Sequence, residues 1–389
     1  MVDDGGRPWG LLAACFLASV GYNAYLIAPA SILPLLAESF DTTATAAGWA
    51  VSAAYLGWLL LQLPGGVVLD RIDNRLLLAV GTVVLACAAV GGWLAGSYRG
   101  FLAWRVLGGA TAVALFTGGV NVVSASFPAT DRGFVSAVFV GSAPVGFAIA
   151  QFGGPLIADI GGWPLAIVAY PIVGLLAVPW LYRPTAAPIR AETQLSPREY
   201  LTVLTQRSTI LVSLASGGTF ALFVFLNAWM PTYGTDVIDA SLAGAGAAAA
   251  LLAVSGVVGR PAGGWISDRI GYRRRPVVLA AMLASLPVLA VVGTTGSYLV
   301  FAALLFGLGF LVQAGLGVYF IYVRELAADG AAGTNLAILM TVSIAGALSA
   351  PVVGGWLIET IGWRVAFLCA GVAAGISAVC VYLAPDSRS

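Results

Sequence analysis

Twelve apolar runs occupy most of this chain and constrain its fold more than any other feature. A helix of about 20 apolar residues spans the hydrocarbon core of a bilayer, so each run predicts one membrane helix. Only 9% of the 389 residues are charged, whereas a water-soluble domain carries about 25%. We therefore predict an all-α integral membrane protein with twelve transmembrane helices. The predicted spans are Trp9–Leu33, Ala47–Leu69, Leu76–Ala95, Phe101–Ser126, Phe134–Ile157, Gly162–Leu181, Thr209–Met230, Ala243–Ile266, Pro276–Val292, Tyr298–Tyr322, Thr334–Ile358 and Trp363–Leu383.

A charged sequence occurs twice, at the ends of the second and eighth apolar runs. The copies Gly66–Arg75 and Gly264–Arg273 share the pattern Gly-x-x-x-Asp-Arg-Ile and lie 198 positions apart. A second pair, the Gly-Trp dipeptides that begin at Gly162 and Gly362, lies 200 positions apart. Nearly equal offsets predict that a six-helix unit is duplicated, so that the fold contains two pseudo-symmetric six-helix bundles. Such duplication is typical of secondary transporters.

The duplication divides the chain into residues 1–183 and 208–389, joined by a linker at 184–207. This linker is the longest polar segment, contains three prolines and predicts a short surface helix at Pro197–Thr205. On the side of the membrane that holds the repeated sequence, the loops contain eleven arginines, against two on the other side. Because positive residues concentrate on the cytoplasmic side, we predict a multi-pass plasma-membrane protein with both termini in the cytoplasm.

The repeated sequence resembles the loop signature of the major facilitator superfamily, Gly-x-Leu-x-Asp-Arg-x-Gly-Arg-Arg. The second copy matches it better, with Gly271 and Arg273 in place, whereas the first has Asp73 at the glycine position. The resemblance covers essentially the whole chain and implies a transporter whose two bundles alternate access to a central site. It also implies a cytoplasmic latch that holds the outward-facing state; the alternative is a general topology signal of basic residues. The latch residues would be Asp70, Arg71, Arg75, Asp268, Arg269 and Arg273.

Arg260 is the clearest charge inside a predicted span, and its aligned position in the first half is Gln62. A charge within the membrane is costly and usually has a functional reason. Arg260 is similar to the anion-binding arginine of the family's nitrate/nitrite porters and monocarboxylate or oxalate carriers. Nitrate porters commonly have a second arginine where this chain has Gln62, which disfavours nitrate. The alternative is that Arg260 extends to the inner surface or pairs with Asp268.

Neutral polar side chains on apolar helices complete the predicted site. The first and seventh helices share the pattern Asn-Ala-aromatic, at Asn23 and Asn227. Each such residue, taken alone, also fits a hydrogen bond between helices. The predicted substrate ligands beside Arg260 are Gln62, Tyr22, Asn23, Gln151, Asn227 and Gln313.

Two charged residues near the outer rim, Arg105 and Asp159, predict an ion pair, either structural or linked to proton coupling. Acidic residues and histidine are missing from the middle of every predicted span. Since proton relays in transporters usually need such a group, we favour exchange or facilitated movement and leave the coupling ion open.

The sequence therefore predicts a transporter of a small organic anion, acting as a monomer in the lipid bilayer. The main alternative is proton-coupled export of amphipathic drugs. Exporters of the family carry a Gly-Pro-x-x-Gly-Gly element in the fifth helix, where this chain has Ala150 and Gln151 in place of Gly-Pro. A membrane receptor or scaffold is a further alternative. We find no nucleophile–base pair, phosphate loop or metal cluster, and predict no enzyme activity, cofactor, metal or nucleic-acid partner.

Overall fold

The computed structural model describes residues 8–181, 188–190, 205–327 and 332–386. Every regular element in these ranges is helical. Most of the predicted linker helix at Pro197–Thr205 lies outside the described residues. The helices are α1 (Trp9–Ser31), α2 (Leu33–Phe40), α3 (Ala44–Arg71), α4 (Asn74–Leu94), α5 (Tyr98–Ala110), a π-helix (Val113–Gly118), α6 (Gly119–Ser126), α7 (Arg132–Val140), α8 (Ser142–Gly174), a 3-10 turn (Leu175–Ala177), α9 (Val178–Leu181), α10 (Arg207–Asp236), α11 (Leu242–Arg269), α12 (Arg274–Val292), α13 (Tyr298–Glu325), α14 (Ala332–Thr360) and α15 (Trp363–Leu383).

Eleven segments of the described chain are long and apolar enough to span a membrane, and one of them, Arg132–Leu181, has 50 residues. That segment is broken inside α8, where Gly162 adopts φ 73°. Gly153 and Tyr170, nearly equidistant from the break, lie side by side, so the two parts form an antiparallel hairpin. The twelve-helix prediction is confirmed.

The Gly-Trp pair identified in the sequence marks equivalent turns in the two halves. Gly162 and Gly362 have φ 73° and 109° with ψ 176° and 171°. Only glycine adopts this backbone region readily, so each residue lets the chain reverse between two spans. These matching turns support the predicted duplication. The boundaries at residues 183/184 and 207/208 stay a prediction because residues 182–187 and 191–204 are not described.

The first and second halves contain the same buried hydroxyl pair. Ser19 of α1 contacts Ser142 of α8 at 2.7 Å, and Ser216 of α10 contacts Ser343 of α14 at 2.7 Å. Each pair joins the first helix of its half to the helix that precedes the Gly-Trp turn. The duplicated sequence therefore folds into two bundles with matching internal contacts.

The halves contact each other near one end of the molecule. We call this the far end, and the end that carries Asp70 and Asp268 the signature end. At the far end, a Cβ at Gly48 of α3 would overlap the carbonyl oxygen of Pro351 on α14. A Cβ at Gly246 of α11 would likewise overlap the carbonyl oxygen of Gln151 on α8. Such close backbone approach needs small residues.

These two crossings are related by the duplication, because Gly48 and Gly246 are 198 positions apart. A hydrogen-bonded cap strengthens the far end. The Glu359 carboxylate of α14 accepts bonds from the backbone NH of Thr45 (2.9 Å) and from its hydroxyl (2.6 Å), at the start of α3. The far end is thus closed by backbone packing and by a carboxylate at a helix N-terminus, where the helix dipole favours negative charge.

The signature end is less closely packed. A Cβ at Gly66 or at Gly264 would have no other heavy atom within 4 Å. Among the described residues, no ion pair joins the two halves at this end. Among the described residues, the close backbone crossings and the hydrogen-bonded cap between the halves therefore lie at the far end.

Candidate functional site

A cavity lies between the two halves of the described structure. Its walls come from α1, α3, α8 and the π-helix of the first half, and from α10, α11, α13 and α14 of the second. The π-helix places Phe116 in the wall. Single turns of π-helix occur frequently at functional sites because they redirect side chains. Both halves must therefore contribute to anything bound here.

Arg260 of α11 provides the only charged side chain among the residues that line this cavity. Its Nε donates a hydrogen bond to Oε1 of Gln313 on α13, at 2.8 Å. The alternative of a pair with Asp268 is not found, since that carboxylate binds Arg274 at 2.6 Å. Within the described chain, no carboxylate lies within ion-pair distance of Arg260.

Two glycines make room for the contact between Arg260 and Gln313. A Cβ at Gly256 would overlap Nε2 of Gln313, and one at Gly259 would lie 3.3 Å from its Cβ. Gln313 is fully buried in the slot that these glycines leave. The sequence Gly256-x-x-Gly259-Arg260 thus brings α13 close enough for an uncharged acceptor to position the guanidinium.

Asn23 and Tyr22 occupy neighbouring positions on α1 but differ in their access to the cavity. Asn23 lines it and donates from Nδ2 to the carbonyl of Ser19, at 2.8 Å. Tyr22 is fully buried and contacts Trp58 edge to face, with ring centroids 6.0 Å apart. Within the described residues its hydroxyl has no hydrogen-bond partner. Asn23 is therefore placed to contact a ligand, and Tyr22 supports the wall from behind.

Gln62, the counterpart of Arg260, does not line the cavity. Its Oε1 accepts a hydrogen bond from Nε1 of Trp58, at 2.9 Å, and Trp58 does line the cavity. Gln62 therefore orients an aromatic wall residue and contributes no direct contact in this conformation.

Gln151 and Asn227 lie in the contact between the halves, outside the cavity wall. Nε2 of Gln151 on α8 donates to the backbone carbonyl of Asn227 on α10, at 2.6 Å. The Asn227 side chain donates to the carbonyl of Phe223, one turn earlier. Of the seven predicted substrate ligands, the structure places Arg260 and Asn23 in the wall. Gln313 lies directly behind Arg260, and both Gln62 and Tyr22 contact Trp58. Gln151 and Asn227 join the two halves.

The predicted ion pair between Arg105 and Asp159 is wrong. Arg105 is buried and donates to the backbone carbonyls of Ala50, Tyr25 and Leu26, at 2.6–2.8 Å. Its guanidinium also lies 4.1 Å from the centroid of the Tyr25 ring. Asp159 is exposed. Carbonyl oxygens of α1 and α3 satisfy the guanidinium, so Arg105 ties these helices to α5 without a carboxylate.

The second copy of the repeated sequence forms a charge cluster within its own half. Arg274 is buried and binds Asp268 at 2.6 Å and Glu325 at 2.8 Å. Its Nη1 also donates to the hydroxyl of Ser267. Sequence reasoning missed Arg274 and Glu325 as site residues, although Arg274 directly follows Arg273, the last basic residue of the signature. This cluster joins the ends of α11 and α13 to the start of α12.

The other predicted latch residues also stay within their own halves. Arg273 lies 3.3 Å from Asp386, and Arg269 stacks over Trp265 at 4.6 Å. Arg75 lies 3.6 Å from Asp73. For Asp70 and Arg71 the described residues show no side-chain hydrogen bond or ion pair. Within the part of the chain that the structure describes, no contact of these residues forms a latch between the halves.

In the first half, a buried amide replaces the charge cluster. Asn74 donates from Nδ2 to the carbonyls of Leu69 (2.8 Å) and Ile189 (2.9 Å), and its Oδ1 accepts from Asn121. The position equivalent to Arg274 is Leu76, 198 residues earlier. The two copies of the repeated sequence thus stabilise the same turn by different chemistry.

Two duplicated membrane-spanning bundles that enclose one central cavity define a membrane transporter. The chain belongs to the Major Facilitator Superfamily, whose family model matches residues 11–343 and, in a second match, 240–389. The family resemblance seen in the repeated loops is thereby confirmed. The family comprises transporters and not enzymes.

Characterised relatives include transporters of several anions. The chain is 31% identical over 257 residues to a probable nitrate/nitrite antiporter of Thermus thermophilus, a match that covers 61% of this chain and 56% of that protein. It is 26% identical to the hexuronate transporter of Bacillus subtilis, over 87% of this chain and 85% of that one. It is 28% identical to a probable galactarate/D-glucarate transporter of the same organism, over 88% and 84%.

Solved structures support the same fold. A bacterial homolog of the human lysosomal transporter Spinster, in an inward-facing and occupied conformation, superposes with a TM-score of 0.83 at 16% identity, over 98% of this chain and 97% of that one. A D-xylose-proton symporter superposes with a TM-score of 0.78 at 17% identity, over 98% and 99%. At these identities the likeness concerns the fold alone.

Proposed function

We propose that this chain moves a small organic anion across the plasma membrane by alternating access, with Arg260 as the main contact of the anion. The observation that carries the proposal is the Arg260 guanidinium in the wall of the central cavity. Gln313 holds it, and within the described chain no carboxylate neutralises it. One chain supplies both sides of the cavity, which fits the predicted monomer.

The physical argument rests on the cost of an isolated charge. A guanidinium in a low-dielectric site is unfavourable unless an anion or a hydrogen-bonding shell compensates it. Among the described contacts, Arg260 uses only Nε, toward a neutral amide. Its two terminal nitrogens remain able to bind a carboxylate in the planar bidentate geometry that arginine favours. A substrate anion would supply the missing charge.

The relatives support an anionic substrate. The two Bacillus subtilis proteins are named as transporters of hexuronate and of galactarate/D-glucarate, and the Thermus thermophilus protein as a nitrate/nitrite antiporter. These substrates share negative charge and little else. Gln62 stands where nitrate porters commonly have a second arginine, which disfavours nitrate here.

We assign the signature end to the cytoplasm, since it carries most of the loop arginines. The closed far end then faces outward, and the structure represents an inward-facing state. The latch residues Asp70 and Asp268 would contact the opposite half only after the signature end closes. No aspartate or glutamate lines the cavity among the described residues, which supports exchange or facilitated movement over proton coupling.

Anion uptake into proteoliposomes tests the proposal. Replacing Arg260 with alanine should reduce uptake at least about tenfold, and Arg260→Lys should remain poor because lysine lacks the planar fork. Arg99→Ala, at an exposed arginine, is the matched control and should transport normally. Normal uptake of every anion by Arg260→Ala would refute the proposal.

Export of amphipathic drugs is the second candidate, and the aromatic lining of the cavity favours it. Arg260 opposes it for the many drugs that are cations, because like charges repel at close range. Overexpression in a drug-sensitive strain distinguishes the two: resistance to cationic drugs that survives Arg260→Ala would favour export.

A further inference from the structure

The cavity wall is more apolar than a site for a sugar acid or an inorganic anion requires. Seven aromatic side chains line it. They include Tyr55 and Trp58 from the first half and Phe220 and Phe320 from the second. The rings of Phe220 and Tyr55 are perpendicular, with centroids 6.4 Å apart. The aromatic lining therefore continues from one half to the other. A ligand in this cavity is therefore surrounded mainly by rings.

The donor groups of the polar wall residues are largely occupied by other protein groups, inside and behind the wall. Ser216 and Ser343 share a hydrogen bond of 2.7 Å, and Nε1 of Trp58 is bound to Gln62. The amide nitrogen of Asn23 donates to Ser19. None of these donors is left over for the hydroxyl groups of a polyhydroxylated ligand.

Apart from the acceptor oxygens of Asn23, Ser216 and Ser343, two wall residues have donor groups without a partner among the described contacts. Arg260 contributes its terminal guanidinium nitrogens. The hydroxyl of Tyr55 is fully buried and has no hydrogen-bond partner among the described residues. One cation matches one carboxylate. The second carboxylate of a dianion, or several hydroxyls, would be desolvated without compensation.

We infer that the substrate of this cavity is a monocarboxylate whose body is an aromatic ring or a compact apolar group. This inference rests on the proposed function and names its substrate class. The carboxylate binds Arg260, while the body packs against Trp58, Phe220 and Phe320. The chain therefore differs in substrate from the relatives that transport hexuronate, galactarate or nitrate.

The first experiment measures the melting temperature of the purified full-length protein with benzoate, cyclohexanecarboxylate, D-glucuronate, galactarate and nitrate as probes. Benzamide, a neutral analogue of benzoate, is the matched control. A ligand that binds only the folded state raises the melting temperature. We expect benzoate and cyclohexanecarboxylate to raise it and benzamide to leave it unchanged. The shift should disappear in Arg260→Ala.

A pair of wall variants adds a test that does not depend on the arginine. Phe320 is partly accessible from the cavity. Phe320→Asn should weaken benzoate binding about tenfold because the apolar contact is lost, and Phe320→Leu, which keeps an apolar side chain, should weaken it less. If Phe320→Asn does not fold, the same comparison is made at Phe116 with leucine and asparagine.

The outcomes separate the inference from the proposed function. Shifts with glucuronate, galactarate or nitrate that depend on Arg260 and equal or exceed the benzoate shift would overturn the inference and leave the proposed anion transport intact. Absence of any Arg260-dependent shift across the anions would overturn the proposed function and the inference together. Benzoate shifts unaffected by Phe320→Asn and Phe116→Asn would also overturn the inference.

Discussion

Among the described contacts, Gln313 accepts the hydrogen bond that orients the Arg260 guanidinium. We predict that Gln313→Leu, which keeps the volume but removes the acceptor, raises the KM for anion uptake about tenfold, since a hydrogen bond to a charged group contributes about 1.5–3 kcal/mol. Gln313→Glu should abolish uptake, because its carboxylate would pair with Arg260 and compete with the substrate. KM and kcat measured in proteoliposomes check both variants.

Thr82→Val is the control for these variants, since the one side-chain hydrogen bond of Thr82 among the described residues goes to the carbonyl of Leu78 within α4. It should leave the KM unchanged. A wild-type KM in Gln313→Leu would show that Arg260 keeps its orientation without the amide.

Individual residues of the site were predictable to different degrees. Arg260 and Gln313 stand out because each is polar inside an apolar run. Their contact was not predictable, since the two residues lie 53 positions apart on different helices. The Arg105–Asp159 prediction failed because sequence analysis pairs charges with charges. Backbone carbonyls, which satisfy Arg105 here, are present at every position and leave no sequence signal.

Between helices, the Arg274 cluster contains the shortest ion pairs among the described residues. Replacing Arg274 with leucine leaves Asp268 and Glu325 without their partner at the junction of α11, α12 and α13. Breaking a buried ion pair costs 3–5 kcal/mol, but both carboxylates here are partly exposed, so we expect about 2 kcal/mol. The measurement is the free energy of unfolding in detergent, or the melting temperature where unfolding is irreversible.

Arg273→Leu is the matched control, because Arg273 is largely exposed and pairs singly with Asp386. Its effect should stay below about 1 kcal/mol, as is usual for surface ion pairs. Equal destabilisation by the two variants would show that burial does not strengthen the cluster.

The helices themselves were predicted well from the sequence. Apolar runs gave all twelve spans to within a few residues at most ends, because the bilayer thickness fixes the length of such helices. The repeated sequence identified the α3–α4 and α11–α12 turns. The repeated sequence did not show that the first half, with Leu76 at the position of Arg274, stabilises this turn through the Asn74 amide. That contact depends on Asn121 and Ile189, which lie far away in the sequence.

At the scale of the whole molecule, the far end is closed by two crossings that the duplication relates. Gly48 against Pro351 and Gly246 against Gln151 are equivalent contacts between opposite halves. The sequence contains the glycines, but only the structure shows that they face the other half. Under the proposed alternating access, these crossings would separate and re-form in each cycle, and their closeness would then set the balance between the two states.

A larger side chain at either crossing should therefore impair transport without removing the binding site. We predict that Gly246→Val and Gly48→Val each slow uptake about tenfold or more. Overpacking costs about 1–3 kcal/mol, which shifts a two-state equilibrium by about 5- to 150-fold. Gly307→Val, at a position with no other atom within 4 Å of the added Cβ, should transport normally. Ligand-induced melting shifts should persist in all three variants, because Arg260 and the aromatic wall are unchanged. Uptake at the wild-type rate by both Gly246→Val and Gly48→Val would show that the far end does not need this close approach during transport.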